Sequence, residues 1–170
     1  MKPGRTYGKQ PDLALSTWVK LARASALFGK RTGEHIRSAG LTVSQFGALE
    51  TLYHRGPLTP GELCSKQLVS GGNMTVVLDN LEREGLIRRV PSIKDRRSVT
   101  VHLTSSGQDL MERIFPQHAQ VVAGLLSALT PEEIAELGGL LKKLGYALQG
   151  KAMDGRYTPL RAWDDRSEKR

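Results

Sequence analysis

The chain has 170 residues, 39% of them apolar and 25% charged, enough for one domain or two small ones with a core that needs no disulfide staples. Lys and Arg number 25 against 17 Asp and Glu, a formal charge of +8. That balance argues against an acidic buffer protein or a disordered acidic domain and favours a polyanionic partner, either nucleic acid or an anionic membrane. Residues 1–11 are polar and basic and read as a loose arm, with no signal peptide expected. Residues 12–39 place apolar or small side chains at Trp18, Leu21, Ala22, Ser25, Phe28, Gly29, Thr32 and Ile36, the period of one long amphipathic helix closed by Gly40. A second helix is expected over 44–54, with Ser44 as N-cap and Phe46, Leu49, Leu52 and Tyr53 on one face, stopped by Gly56-Pro57.

Thr59-Pro60-Gly61-Glu62 is a capping box that opens a short helix to about Gln67, with Leu63 and Cys64 turned inward. Ser70 is expected to cap the next helix, from about 71 to 84, whose inner face is Met74, Val77, Leu78 and Leu81 and whose stop is Gly85. Two short runs, Leu86–Val90 and Ser98–Leu103, read as strands around a hairpin loop, and in the second Val99, Val101 and Leu103 alternate with Ser98, Thr100 and His102. Thr104 caps a further helix reaching toward Leu129, with a kink or break expected near Phe115 because Pro116 lies inside it. Thr130-Pro131-Glu132-Glu133 is a second capping box, and the last helix carries Leu137, Leu140, Leu141, Leu144 and Leu148 before Gly150. Residues 151–170 are charged and read as a tail.

Cys64 is the only cysteine, so neither an intrachain disulfide nor a cysteine zinc site is expected. His35, His54, His102 and His118 lack metal-binding spacing, and no metal or cofactor is expected. No window approaches the roughly eighteen apolar residues of a membrane span. The reading is of a cytoplasmic protein without a membrane partner.

Two short helices joined by a tight turn, the second ending in Gly and followed by a β-hairpin, make the order of a winged helix-turn-helix. Charge concentrates there. Residues 83–97 hold six basic side chains (Arg83, Arg88, Arg89, Lys94, Arg96, Arg97) and two acidic ones (Glu84, Asp95), a local +4, half the excess of the whole chain. The exposed start of the helix, Ser70, Gly71 and Gly72, suits a phosphate, because free backbone N–H groups and the positive helix end meet there. Its outward face offers Asn73, Thr75, Val76, Asn80 and Arg83; Asn can bond adenine in two places and a Val or Thr methyl can pack on that of thymine. Lys94, Arg96 and Arg97 sit at the hairpin tip. Arg97 is the candidate for insertion into a narrow minor groove, with Asp95 bracing the wing or orienting Arg97.

The stretch from Gly72 to Arg89, followed by Asp95-Arg96-Arg97 and Leu103-Thr104-x-x-Gly107, resembles the MarR (multiple antibiotic resistance regulator) family over about residues 12–149. The resemblance implies a mainly α (α+β) fold: about six helices and a two-stranded β-wing, a winged helix-turn-helix with flanking dimerisation helices. Residues 41–103 would be the DNA-binding domain, 12–40 and 104–149 the helical dimerisation region, and 1–11 and 150–170 flexible arms. It implies a homodimeric repressor of a pseudo-palindromic operator in double-stranded DNA, released by a small, often phenolic, ligand bound between the two lobes. Within the family, the stretch from Ser70 to Glu82 and the later Ile114-Phe-Pro-x-His118 look closest to regulators that answer to quinones or other aromatics. Many members carry Arg where this chain has Val76, which points to a different operator. Trp18, Phe28, His35, Phe46 and Tyr53 are the ligand-pocket candidates, with core packing as the alternative, and His54 and His118 are further candidates for ligand contact. Rival readings are a constitutive architectural DNA-binding protein without effector, a Cys64 redox-switched regulator, a peripheral membrane protein, and an enzyme. For the last, no nucleophile–base pair, carboxylate pair or phosphate loop is present in the sequence.

Overall fold

The computed structural model describes residues 5–67, 70–91 and 99–148. Helix α1 (Lys9–Ser38) is followed by α2 (Val43–Arg55), α3 (Pro60–Gln67) and α4 (Gly71–Arg83), then strands β1 (Ile87–Pro91) and β2 (Val99–Leu103), then α5 (Ser105–Leu125) and α6 (Pro131–Leu148). The expected class, six helices and a two-stranded sheet, is the one observed. The strands pair antiparallel with Ile87 opposite Leu103 and Arg89 opposite Val101. Leu58, in the turn between α2 and α3, adds a bridge to the outer edge of β2, exchanging both backbone bonds with Val101.

Local chemistry sets most boundaries. Thr59 and Glu62 form their reciprocal box, as do Thr130 and Glu133, and the Thr104 hydroxyl accepts from the Gly107 N–H. Three helices end at a positive-φ glycine, and Gly56 (φ +78) caps α2. Gly40 (φ +81) follows α1 and Gly85 (φ +70) follows α4, each with the paired back-bonds that close orphan carbonyls, such as Leu86 N–H to Leu81 O at 2.9 Å.

Several expectations need correction. Helix α1 starts at Lys9, so the arm is shorter than expected: Asp12 accepts from the Thr6 hydroxyl and the Tyr7 N–H and organises the entry to the helix. Helix α2 is capped by Thr42, not Ser44, because Gln45 stands three residues on and returns a bond to the Thr42 N–H. Ser70 occupies the N-cap of α4, but its hydroxyl makes no cap bond. Helix α5 runs through Pro116 unbroken and ends at Leu125. Pro116 is on the exposed side of the helix, while Ile114 and His118 stay buried and hold the helix in place. Cys64 is half-buried against the core.

One core joins the elements. Ile36 from the end of α1, Leu41, Phe46, Ala48, Leu49 and Leu52 around α2, Leu63 of α3, Met74, Val77, Leu78 and Leu81 of α4, Ile87, Val101, and Met111 and Ile114 of α5 are all buried in a single cluster. Gly107 makes the junction of wing and α5 possible: a Cβ there would lie 2.1 Å from the Leu86 carbonyl oxygen. Helix α6 buries none of its residues, and Leu137, Leu140, Leu141, Leu144 and Leu148 are exposed along it. The first half of α1 likewise exposes Leu13, Leu15, Trp18 and Val19. Among the described residues, no helix is long and apolar enough to cross a membrane.

Candidate nucleic-acid interface

Burying Met74, Val77, Leu78 and Leu81 fixes which side of α4 faces out. That outer side carries Gly71, Gly72, Asn73, Thr75, Val76, Asp79 and Arg83, all exposed, with Asn80 half-buried beside them. Val76 is 58% exposed, an apolar group standing in solvent on a polar surface. The Thr75 hydroxyl donates to the Gly71 carbonyl at 3.0 Å, so it is already engaged within the helix. Arg83 Nη2 donates to Asn80 Oδ1 at 2.5 Å, so these two expected contact residues orient each other. The start of α4 has neither an acidic residue in its first turn nor a side-chain cap. Its first N–H groups and the positive end of its dipole therefore remain available to an anion.

The basic residues behind α4 divide into two kinds. Arg88 is exposed. Arg89 is turned onto α4, where Nη1 donates to Glu82 Oε2 at 2.5 Å and Nη2 to Asp79 Oδ1 at 2.6 Å. Its backbone N–H donates to the other oxygen of Glu82 at 2.9 Å. Partial burial alone would lower the Arg89 pKa, but its hydrogen bonds to Asp79 and Glu82 and their negative charges outweigh it and hold the guanidinium charged. One of the six positive charges counted between 83 and 97 is thus neutralised within the fold, by carboxylates outside that window. Lys94, Asp95, Arg96 and Arg97 lie outside the described residues.

A second constellation forms where α1, α2 and α5 meet. Phe46 of α2 and His118 of α5 lie 4.5 Å apart between ring centres, and His35 of α1 is 5.6 Å from His118. Phe115 continues the row, 6.3 Å from His118 and 4.5 Å from His54, with Tyr53 5.0 Å from His54. Two buried nitrogens in this cluster, His35 Nε2 and His118 Nδ1, have no hydrogen-bond partner. Burial pushes the His118 pKa down, and the neighbouring His35 pushes it further the same way, so His118 favours its neutral form. Of the pocket candidates, His35, Phe46 and Tyr53 are brought together here, while Trp18 and Phe28 make none of these ring contacts. Trp18 instead lines an open apolar groove near the start of α1 with Tyr7, Pro11, Ala14 and Leu15.

Sequence reasoning missed Phe115 and the Arg89–Glu82–Asp79 group. Phe115 had a usable signal, since it stands three residues before His118 on the same helix. Arg89 had none, because its partners come from another element.

Three comparisons bear on function. Residues 39–98 match the MarR family profile. The HTH-type transcriptional regulator YkoM of Bacillus subtilis is 36% identical over 81% of this chain and 89% of its own length. Among solved structures, Sco3205 of Streptomyces coelicolor, a MarR family transcriptional regulator in complex with DNA, superposes with a TM-score of 0.74 at 25% identity, over 79% of this chain and 90% of that one. BpsR of Bordetella bronchiseptica, whose DNA binding is regulated by 6-hydroxynicotinic acid, superposes with a TM-score of 0.69 at 25% identity, over 76% of this chain and 98% of that one.

Proposed function

The chain belongs to the MarR family and is a DNA-binding transcriptional regulator, not an enzyme; on that premise we propose that it is a homodimeric cytoplasmic repressor which leaves its operator when a small aromatic ligand binds. The outward row of α4 carries this reading. Asn73, Val76 and Arg83 stand exposed on a helix whose N-terminal N–H groups lack a side-chain cap. Each helix of the pair enters a major groove, with Ser70, Gly71 and Gly72 against phosphate, Asn73 and Asn80 toward base edges, and the Thr75 and Val76 methyl groups toward thymine. Lys94, Arg96 and Arg97 act at the adjacent minor groove, with Asp95 bracing the wing. Residues 41–103 form the reading unit, and 12–40 with 104–149 pair two such units.

The effector site in this reading is the ring cluster between α1, α2 and α5. A buried polar atom without a partner costs about 1–3 kcal/mol, and His35 Nε2 and His118 Nδ1 are two such atoms, on neighbouring rings of which His118 also packs against Phe46. A flat ring bearing a hydroxyl or carbonyl group satisfies both requirements, apolar contact and hydrogen bonding. Its entry would separate helices that hold the DNA reader from those that pair the chains. The reading helices then lose the spacing of about 34 Å that matches one DNA turn.

The test has two stages. Genomic fragments retained by the purified protein identify its operator, and phenols, quinones and aromatic acids are then titrated against that complex. Release of the wild-type protein, with release lost in His118→Ala while operator affinity is kept, is the expected result. A compound that releases wild type and His118→Ala equally well removes the cluster as its site.

A further inference from the structure

We propose that Arg89 is a positioning residue for DNA binding: held by Glu82 and Asp79, it fixes the angle between the β-wing and α4, and it does not itself contact phosphate. The proposal rests on the placement of α4 and the wing in neighbouring grooves given above.

The geometry is that of a clamp on the strand, not of a surface ion pair. Arg89 pairs with Val101 across the sheet, and Val101 directs both its backbone bonds outward to Leu58. At this register the backbone N–H of Arg89 points away from β2 as well, toward α4, and Glu82 Oε1 accepts it at 2.9 Å. Both open edges of the two-stranded ribbon are therefore tied at one level: β2 by Leu58 and β1 by Glu82. The guanidinium then closes a second link to the same carboxylate and a third to Asp79, one helical turn earlier on α4. Ile87, two residues before Arg89 and so on the same face of β1, is buried in the core, which anchors the base of the ribbon. A ribbon tied only at its base would swing. The clamp acts at the next inward position, nearer the tip.

The functional consequence follows from linked contacts. Two groups that must enter adjacent grooves together bind tightly only if their separation is set beforehand. Asp79, 57% exposed on the outer side of α4, is also an acid on a surface meant to face phosphate. By charge alone it opposes binding. Holding Arg89 accounts for its presence there.

That opposition makes a test with opposite signs. Full-length protein and the variants Asp79→Asn, Glu82→Gln and Arg89→Met are titrated against the operator and against an unrelated duplex at several salt concentrations, with Asn73→Ala as a reporter of α4 in the groove. Asn and Gln keep the size of the native side chains, and Gln at 82 can still accept the Arg89 backbone N–H, so the fold is retained; thermal melts verify it. The expected result is that Asp79→Asn and Glu82→Gln each weaken the operator complex about tenfold or more although each removes a negative charge, while binding to the unrelated duplex is unchanged or stronger. Arg89→Met should lose operator affinity without lowering the salt slope. The proposal is overturned if the two acid variants bind the operator as well as or better than wild type, or if Arg89→Met lowers affinity for both duplexes and reduces the salt slope by about one, the signature of a lost phosphate contact. If Asn73→Ala also leaves operator affinity unchanged, the placement of α4 falls with it; if Asn73→Ala weakens binding and the acid variants do not, the clamp alone is wrong.

Discussion

At residue scale, two positions combine sequence identity with a tightly defined environment. Gly107 lies where the wing returns into α5, beside the Leu86 carbonyl oxygen, and a Cβ would come within 2.1 Å of that backbone atom. No side-chain rotation relieves a contact with backbone, so Gly107→Ala must displace β1 or the start of α5. The expected cost is about 1–3 kcal/mol, as for overpacking elsewhere, read as a lower urea midpoint with an unchanged slope. A midpoint equal to wild type would mean that the Leu86–Gly107 approach is looser in solution. His118 supplies a pH-dependent counterpart. Burial and His35 depress its pKa from 6.5, so the unfolded chain takes up a proton below that pH which the folded chain still refuses. The unfolded state then binds more protons, and stability is lost as pH falls from about 6.5 through the lower folded value, with no contribution above 6.5. The groups facing it are His35 on α1 and, across Phe115, His54 on α2. His118→Phe should flatten the decline in stability between pH 7.5 and pH 5; an equally steep decline in the variant would assign the linkage to another group.

At the scale of elements, what could be read in advance was what is local. The boxes Thr59–Glu62 and Thr130–Glu133 and the stop at Gly85 each need only residues within one turn, and the structure forms all three. Thr42 and Ser44 show the same rule. Both residue types can cap, and the choice lies three residues on, where Thr42 meets Gln45 but Ser44 would meet Gly47. The unbroken course of α5 through Pro116 was not legible, because packing of Ile114 and His118 decides it against the proline's own preference. Nor was the ring cluster as a whole, which gathers side chains from three helices, nor the clamp of Arg89, whose acceptors lie seven and ten residues back across a helix end. The inner row of α4 was readable from its period, and the outer row follows from it. On that outer row Val76 gives an element-scale test. Val76→Arg adds a cation to the face directed at DNA, so the salt slope should steepen by about one and affinity for unrelated duplex should rise, while discrimination for the native operator falls. An unchanged slope would place Val76 away from the phosphates and bases.

At the scale of the molecule, the overall +8 is less uniform than its total suggests. Arg89 is neutralised at home, Asp79 sits on the outer face of α4, α1 adds exposed Lys20, Arg23, Lys30, Arg31 and Arg37, and the flanking helices expose hydrocarbon beside their charges. Helix α6 is the clearest case: eighteen residues, none buried, with Leu137, Leu140, Leu141, Leu144 and Leu148 open to solvent. Exposed Leu13, Leu15, Trp18 and Val19 extend the same character onto α1. So many uncovered apolar side chains on α6 and α1 call for a partner surface, and a second copy of the same chain is the cover that the repressor reading requires. Because α6 contributes nothing to the buried core, polar substitution there should separate pairing from folding. Leu140→Glu with Leu144→Glu should leave helical content intact, halve the mass seen in sedimentation, and reduce operator affinity toward that of a single half-site, since two readers no longer share one binding event. If the double variant sediments as wild type, the pairing surface is elsewhere; if it is monomeric yet keeps full operator affinity, one chain suffices to read the DNA and the two-fold operator model is wrong.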